Sequence, residues 1–236
     1  MLLQSLLLGG TLWVFCTEGE KMDLLELLQT RYTTKHYDAS KKVDEALMDK
    51  IMECVRLTPT STNHQPYHFF VLSGEAKDAL RPGIKDFNMS RYDDSTYAVV
   101  IANLKSLSES HLEAVLEADE KAGRLPTAEL KEAQAKSRMF FANLHMENGD
   151  FNEWACKQAY MAMTTMVYAA AAYGVDSTMM EGIDYGKVDE ILELSKKNLT
   201  TSCVVTFGYR AENDSNQVNI RPKSRLTIEQ LVTKLK

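Results

Sequence analysis

The stretch Ala155-Cys-Lys-Gln-Ala-Tyr-Met-Ala-Met-Thr-Thr-Met-Val-Tyr-Ala-Ala-Ala-Ala-Tyr173 decides the fold. Fifteen of its nineteen residues are apolar, and they run all round a helical wheel rather than along one stripe. A helix apolar on every side is either the buried centre of a globular protein or a membrane span. The Ala-rich, Tyr-dotted composition and the stop at Gly174 favour a central buried helix. Working outward, Met22–Thr30 and Val43–Leu57 read as amphipathic helices, the second with Val43, Leu47, Ile51, Cys54 and Val55 on one stripe. Leu107–Arg124 and Thr127–Glu147 read as two helices separated by Gly123 and Pro126. Tyr67–Leu72, Thr96–Leu104 and Ser202–Phe207 read as strands, Glu212–Pro222 as a polar loop, and Leu226–Leu235 as a terminal strand or helix. Helices outnumber strands without regular alternation, so the expected class is α+β.

The chain has 236 residues and a formal net charge of −6, with 44% hydrophobic and 25% charged residues. These are globular proportions, and the acidic balance argues against general nucleic-acid binding, which needs a basic face. It leaves room for a local cationic pocket. Cys16, Cys54, Cys156 and Cys203 are scattered, without zinc-type spacing, as free thiols of a reducing, cytoplasmic compartment would be. Residues 1–21 stand apart. Met1–Thr17 is uncharged and apolar, but it has no basic residue before its apolar run and is short for a span. It reads as an over-extended start or a leader, the alternative being a targeting or anchoring segment. The expected domain is therefore 22–236, with no membrane partner.

There is no G-x-G-x-x-G after a strand, no Walker A loop, no G-x-S-x-G and no H-E-x-x-H. Pro66 lies between His64 and His68, so the two do not share a helical face, and no metal site is expected. Three polar clusters remain. Arg31-Tyr-Thr-Thr-Lys35 flanks two hydroxyls with two cations, a pattern suited to a phosphate. Thr58-Pro-Thr-Ser-Thr-Asn-His-Gln-Pro66 offers many short hydrogen-bonding groups with little bulk. Pro222-Lys-Ser-Arg225 adds two more cations far along the chain. Each cluster alone is also compatible with a solvated turn or a capping loop.

R-Y-T-T-K-H-Y-D (31–38), T-P-T-S-T-N-H-Q-P-Y-H-F (58–69), M-E-G-I-D (180–184) and P-K-S-R (222–225) together resemble the nitroreductase superfamily in order and spacing. The resemblance is to the branch of oxygen-insensitive NAD(P)H nitroreductases, dihydropteridine reductases and major flavin reductases, and it runs from Met22 to Lys236. It implies a central mixed sheet surrounded by helices and an intertwined homodimer with FMN at its interface. By the same resemblance Arg31, Tyr32, Thr33 and Lys35 form the first FMN-contacting segment. Arg31 would hold the phosphate with Lys223 and Arg225, and Lys35 would face the pyrimidine side of the ring. Thr60, Ser61 and Asn63 would reach FMN from the other subunit. Asn88 and Arg91 would contact the flavin edge, and the backbone of Glu181 and Gly182 would lie over N5 and O4, with glycine allowing close approach. Phe141 and Thr62 would line the substrate face.

The sequence departs from close relatives at Tyr32, where they often carry His, and at Arg91, where they carry Lys. Tyr67 replaces a Trp, and Met179-Met180 replaces a Pro-Ile-like pair. The activity implied is a ping-pong transfer of hydride from NAD(P)H through FMN N5 to an aromatic acceptor: a nitroaromatic, a quinone, a flavin or a dihydropteridine. The cofactor would carry the redox chemistry, so no side chain is required as acid, base or nucleophile. The alternative is a flavin-binding carrier or sensor without turnover.

Overall fold

The computed structural model describes residues 23–236, so the segment 1–21 lies outside the described residues. In chain order the elements are α1 (Leu24–Thr30), α2 (Glu45–Arg56), β1 (Tyr67–Leu72), α3 (Gly74–Leu80), α4 (Asp86–Asp93), β2 (Tyr97–Leu104), α5 (Glu109–Lys121), α6 (Ala128–Asn148), α7 (Phe151–Ala172), β3 (Asp176–Met180), α8 (Tyr185–Ile191), β4 (Leu199–Gly208) and α9 (Ile228–Leu231). The α+β expectation holds. Beyond the expected elements the structure adds β3 and the short helices α3, α4 and α8.

The four strands form one sheet in the order β1-β2-β4-β3, every neighbouring pair antiparallel. This corrects the expected mixed sheet: among the described residues the parallel pairing is a single bridge between Thr33 and Ser177. Period-two alternation divides the first half of β2 between two cores, and beyond the register shift at Ile101/Ala102 its end joins a third. Val99 and Ile101 face Met48, Ile51 and Val55 of α2 and Ala159, Ala162, Met166 and Val167 of α7. Ala98 and Val100 face Leu80, Tyr92 and Val188 from α3, α4 and α8. With helices on both faces, β2 reads as a continuous apolar run instead of an alternating one.

Helix α7 begins at Phe151, earlier than its apolar run, and lays one broad face on the sheet. Lys157, Met161 and Thr164 form an exposed stripe on its other side, so in this chain it is not buried all round as expected. Its alanines let it lie close to β2, since longer side chains would hold it away. Asp44 and Thr127 cap the starts of α2 and α6 with their side chains, and Gly149 ends α6 in a left-handed conformation (φ 74°). Cys54, Cys156 and Cys203 are free thiols. Among the described residues no helix is long and apolar enough to cross a membrane.

His64 is 1% exposed, with its ring against Trp154 (centroids 5.2 Å apart) and His111 (5.8 Å), and neither ring nitrogen has a partner. Burial first, then His111 and Arg138, pushes its pKa down to about 4. The folded chain keeps this ring neutral while the unfolded chain protonates it near its ordinary value. The stability it carries is therefore full above about pH 6.5 and falls as pH drops toward about 4, by at most about 3 kcal/mol. Urea denaturation of His64→Phe across that window should show a flatter acid limb than the parent chain. An identical limb would assign the acid sensitivity to other groups.

Candidate functional site

The chain leaves α1 at Arg31 and runs extended past the edge of the sheet, where Thr34 donates to the Ser177 carbonyl (3.3 Å). Its conformation is set from far along the chain. The fully buried Asp214 carboxylate accepts from the backbone N–H of Lys35 (2.9 Å) and of Asn216 (2.8 Å), and Asn216 Nδ2 donates to the Thr33 carbonyl (2.8 Å). Lys223 Nζ donates to the carbonyls of Leu28 and Arg31.

Arg31, Lys223 and Arg225 therefore converge. Burial lowers the Arg31 pKa and the Arg225 charge adds to that, against opposing pulls from Tyr168 and Asp176. Burial and then the Arg31 and Arg225 charges lower that of Lys223. Among the described residues none of the three forms an ion pair, and Arg31 Nη2 is buried without a hydrogen-bond partner. A buried guanidinium N–H without an acceptor is costly, and so is a cluster of like charges. A dianionic phosphate would relieve both, so the residues present fit one.

A second cationic group adjoins the first. Burial lowers the Lys35 pKa, followed by the Arg91 charge, with Asp214 opposing and Arg221 adding to the depression. On α4, Arg91 Nη1 donates to Asn88 Oδ1 (3.3 Å), and Asn88 Nδ2 donates to the Gly182 carbonyl (2.9 Å). The Glu181 carboxylate is turned toward α7, where it accepts from Tyr160 Oη (2.6 Å). A Cβ on Gly182 would lie 2.4 Å from the Phe87 ring and 2.7 Å from Asn88 Nδ2. A side chain there would have to push aside the exposed Phe87 ring and the Asn88 amide that holds the Gly182 carbonyl, a pressure the sequence did not display. Tyr32 is buried, with the Arg210 guanidinium 4.5 Å above its ring and Arg210 itself paired with Asp176.

The remaining candidates lie on other elements. Thr60, Ser61, Thr62 and Asn63 occupy the loop between α2 and β1, where Ser61–Asn63 forms a 3-10 turn. This loop is held by α5, α6 and α7: Ser61 N–H donates to Gln158 Oε1 (2.8 Å), Thr62 C=O accepts from Arg138 Nε (2.9 Å), and Asn63 Nδ2 donates to Asp119 Oδ1 (3.2 Å). Phe141 is 41% exposed on α6, edge-on to the exposed Phe140. Hydrogen bonds and charge proximity thus join Arg31, Thr33, Lys35, Asn88, Arg91, Glu181, Gly182, Lys223 and Arg225 into one region. The 60–63 loop and Phe141 belong to a separate surface. Asp214, Asn216, Arg221 and Tyr160 escaped the sequence reading, because polar residues in a loop and a tyrosine in an apolar helix carry no distinguishing pattern.

Residues 28–209 match the nitroreductase family. The chain belongs to that family. It is similar to an oxygen-insensitive NAD(P)H nitroreductase of Enterobacter cloacae, 34% identical over 219 residues that cover 90% of this chain and 99% of the relative. It is also similar to a major NAD(P)H-flavin oxidoreductase of Aliivibrio fischeri, 31% identical over 87% of this chain and 95% of the relative. Among solved structures, a protein from Exiguobacterium sibiricum assigned as a nitroreductase, in complex with FMN, superposes with a TM-score of 0.76. It is 19% identical, over 93% of this chain and 100% of its own, a likeness of fold. The nitroreductase family fold thus accounts for the sheet order and the two flanking helical layers.

Asp214→Ala removes the acceptor that the backbone N–H groups of Lys35, His36 and Asn216 share. It should destabilise the chain by about 1–3 kcal/mol in urea denaturation, because these donors are partly shielded from water and lose a charged acceptor. A change under about 0.5 kcal/mol would mean that they find other acceptors.

Proposed function

We propose that this nitroreductase-family chain is an FMN-dependent NAD(P)H oxidoreductase that works as a homodimer. Its acceptors are small aromatic compounds: nitroaromatics, quinones, flavins or dihydropteridines. The observation that carries the reading is the convergence of Arg31, Lys223 and Arg225 around a buried, unpartnered guanidinium nitrogen, in a chain of net negative charge. Bound FMN would supply a two-electron centre able to take hydride from a nicotinamide and pass it on.

The chain's own residues bind and orient. Arg31, Lys223 and Arg225 hold the phosphate. Lys35 and Arg91 supply positive charge for an electron-rich ring edge, and Asn88 fixes the Glu181–Gly182 peptide through the Gly182 carbonyl. Tyr160 keeps the Glu181 carboxylate out of the way, leaving backbone N–H groups to face the ring. Thr60, Ser61 and Asn63 act on the FMN of the opposite subunit, and Phe141 and Thr62 line the acceptor side. Exposed apolar residues support pairing: Leu24 and Leu25 on α1, Met161 on α7, and Leu226, Ile228, Leu231, Val232 and Leu235 beyond β4. The working unit is residues 22–236.

An anaerobic titration of the purified yellow protein with NADH and NADPH tests turnover: flavin absorbance should bleach with at least one of them. Persistence of colour with both would favour a carrier or sensor. The phosphate clamp is tested by Arg31→Ala and Arg225→Ala. Each loses charge-assisted hydrogen bonds of about 1.5–3 kcal/mol, so FMN affinity should fall about ten- to a hundredfold. Riboflavin, which lacks the phosphate, should bind as before. Equal losses for both ligands would show that these arginines support the fold or the ring site instead.

A further inference from the structure

The loop joining α2 to β1 holds three non-glycine residues in left-handed backbone conformations: Thr62 (φ 52°), Asn63 (φ 53°) and Gln65 (φ 49°). A β-branched residue such as Thr62 avoids that region strongly. Strain of this kind persists only where the surroundings over-determine it. Here Arg138 supplies a restraint from outside the loop, at the strained Thr62 itself. It projects from α6, is 2% exposed, and donates from Nε to the Thr62 carbonyl (2.9 Å) while Nη2 pairs with Asp119 on α5. Asp119 in turn accepts from the Asn63 side chain (3.2 Å). One buried ion pair thus grips two successive strained residues, one by its carbonyl and the other by its side chain. Gln158 of α7 holds the Ser61 N–H, and His111 of α5 lies 2.7 Å from the His64 carbonyl through Nε2. The fold alone gives little reason for this arrangement. Arg138 Nη1 is buried without a partner, and an apolar pair of similar volume often serves stability as well as or better than a buried ion pair. The loop spends its backbone and the Asn63 amide on these anchors, and the Ser61 hydroxyl stays exposed.

We propose that Arg138, braced by Asp119, is a positioning residue that holds the Thr60–Gln65 loop in its strained shape so that Ser61 and its neighbours meet the bound cofactor preorganised. This rests on the reading that the loop contacts FMN. The protein to compare with the parent is full-length Arg138→Met/Asp119→Leu, which removes both charges and so leaves neither buried alone. Two readouts decide. In hydrogen exchange of the apoprotein, amides 58–66 should exchange at least about tenfold faster, while amides of α7 and the sheet keep their parent rates. In a fluorescence titration FMN should bind about tenfold more weakly, with the melting temperature retained. Unchanged exchange in the loop overturns the proposal, and so does a loosened loop that binds FMN as tightly as the parent. If the double variant does not fold, Arg138→Lys decides by the same two measurements, because one ammonium cannot reproduce the fork that reaches Thr62 and Asp119 together. Ser61→Ala separates the proposal from the reading beneath it. Weaker FMN binding in that variant with parent-like binding in the ion-pair variant leaves the loop as a contact and removes Arg138 from it. A parent chain that takes up no FMN fails the reading and the proposal's ligand half, while exchange in the loop still judges the latch.

Discussion

The close approach of α7 to the sheet is the constraint on which the rest of the structure depends. Ala159, Ala162 and Ala170 are buried to the last atom, and Val99, Ile101, Val205 and Phe207 fill the space against them. Interiors packed at crystal-like density tolerate added bulk poorly, so a larger residue at these alanines would lift the helix and shift everything anchored to it. Much is anchored to it. Gln158 fixes Ser61, Tyr160 fixes Glu181, and Trp154 packs on His64, all within two turns of one helix. The helix thereby sets the distance between the cationic region and the strained loop.

Electrostatics works against the fold at one place and for it at another. Among the described residues Arg31, Lys223 and Arg225 stand together without an ion pair, Asp176 only weakly opposing the burial and like charge felt by Arg31, an arrangement that an anion would stabilise. A short way along the same segment Asp214 does the reverse, collecting backbone N–H groups around a buried negative charge. The acidic net charge of the chain thus says nothing about the sign of the potential in its site, which is set by a handful of residues drawn from both sides of the sheet.

How far the sequence could be read follows from which elements are stable by local pattern. α2 carries its own helical period, α5 and α6 are marked off by Gly123 and Pro126, and β2 is an unbroken apolar run, so all four were legible to within a few residues. β3 (Asp-Ser-Thr-Met-Met) begins polar and is buried only because its neighbours cover it, so no alternation marks it. α4 is a short, polar helix that would be marginal in isolation. It is secured by Lys77, whose ammonium donates to the carbonyls of Tyr92 (2.9 Å), Asp93 (3.0 Å) and Ser95 (2.6 Å), a partnership between distant residues. The same division holds in the site. Arg31, Lys35, Lys223 and Arg225 were visible as charged clusters, whereas their meeting was implied by resemblance and not by the residues. Arg138 and Asp119 read as ordinary helix-surface charges, and only the packing of α5 on α6 turns them inward.

The sheet is complete once β4 has been made, yet Asp214, Asn216, Lys223 and Arg225 all follow it in the chain. A chain synthesised from its N-terminus can therefore condense its cores while the Arg31–Lys35 segment still lacks both its backbone staple and its companion cations. Messages cut short after β4 would yield polypeptides that carry every strand of the described sheet and lack Asp214, Asn216, Lys223 and Arg225.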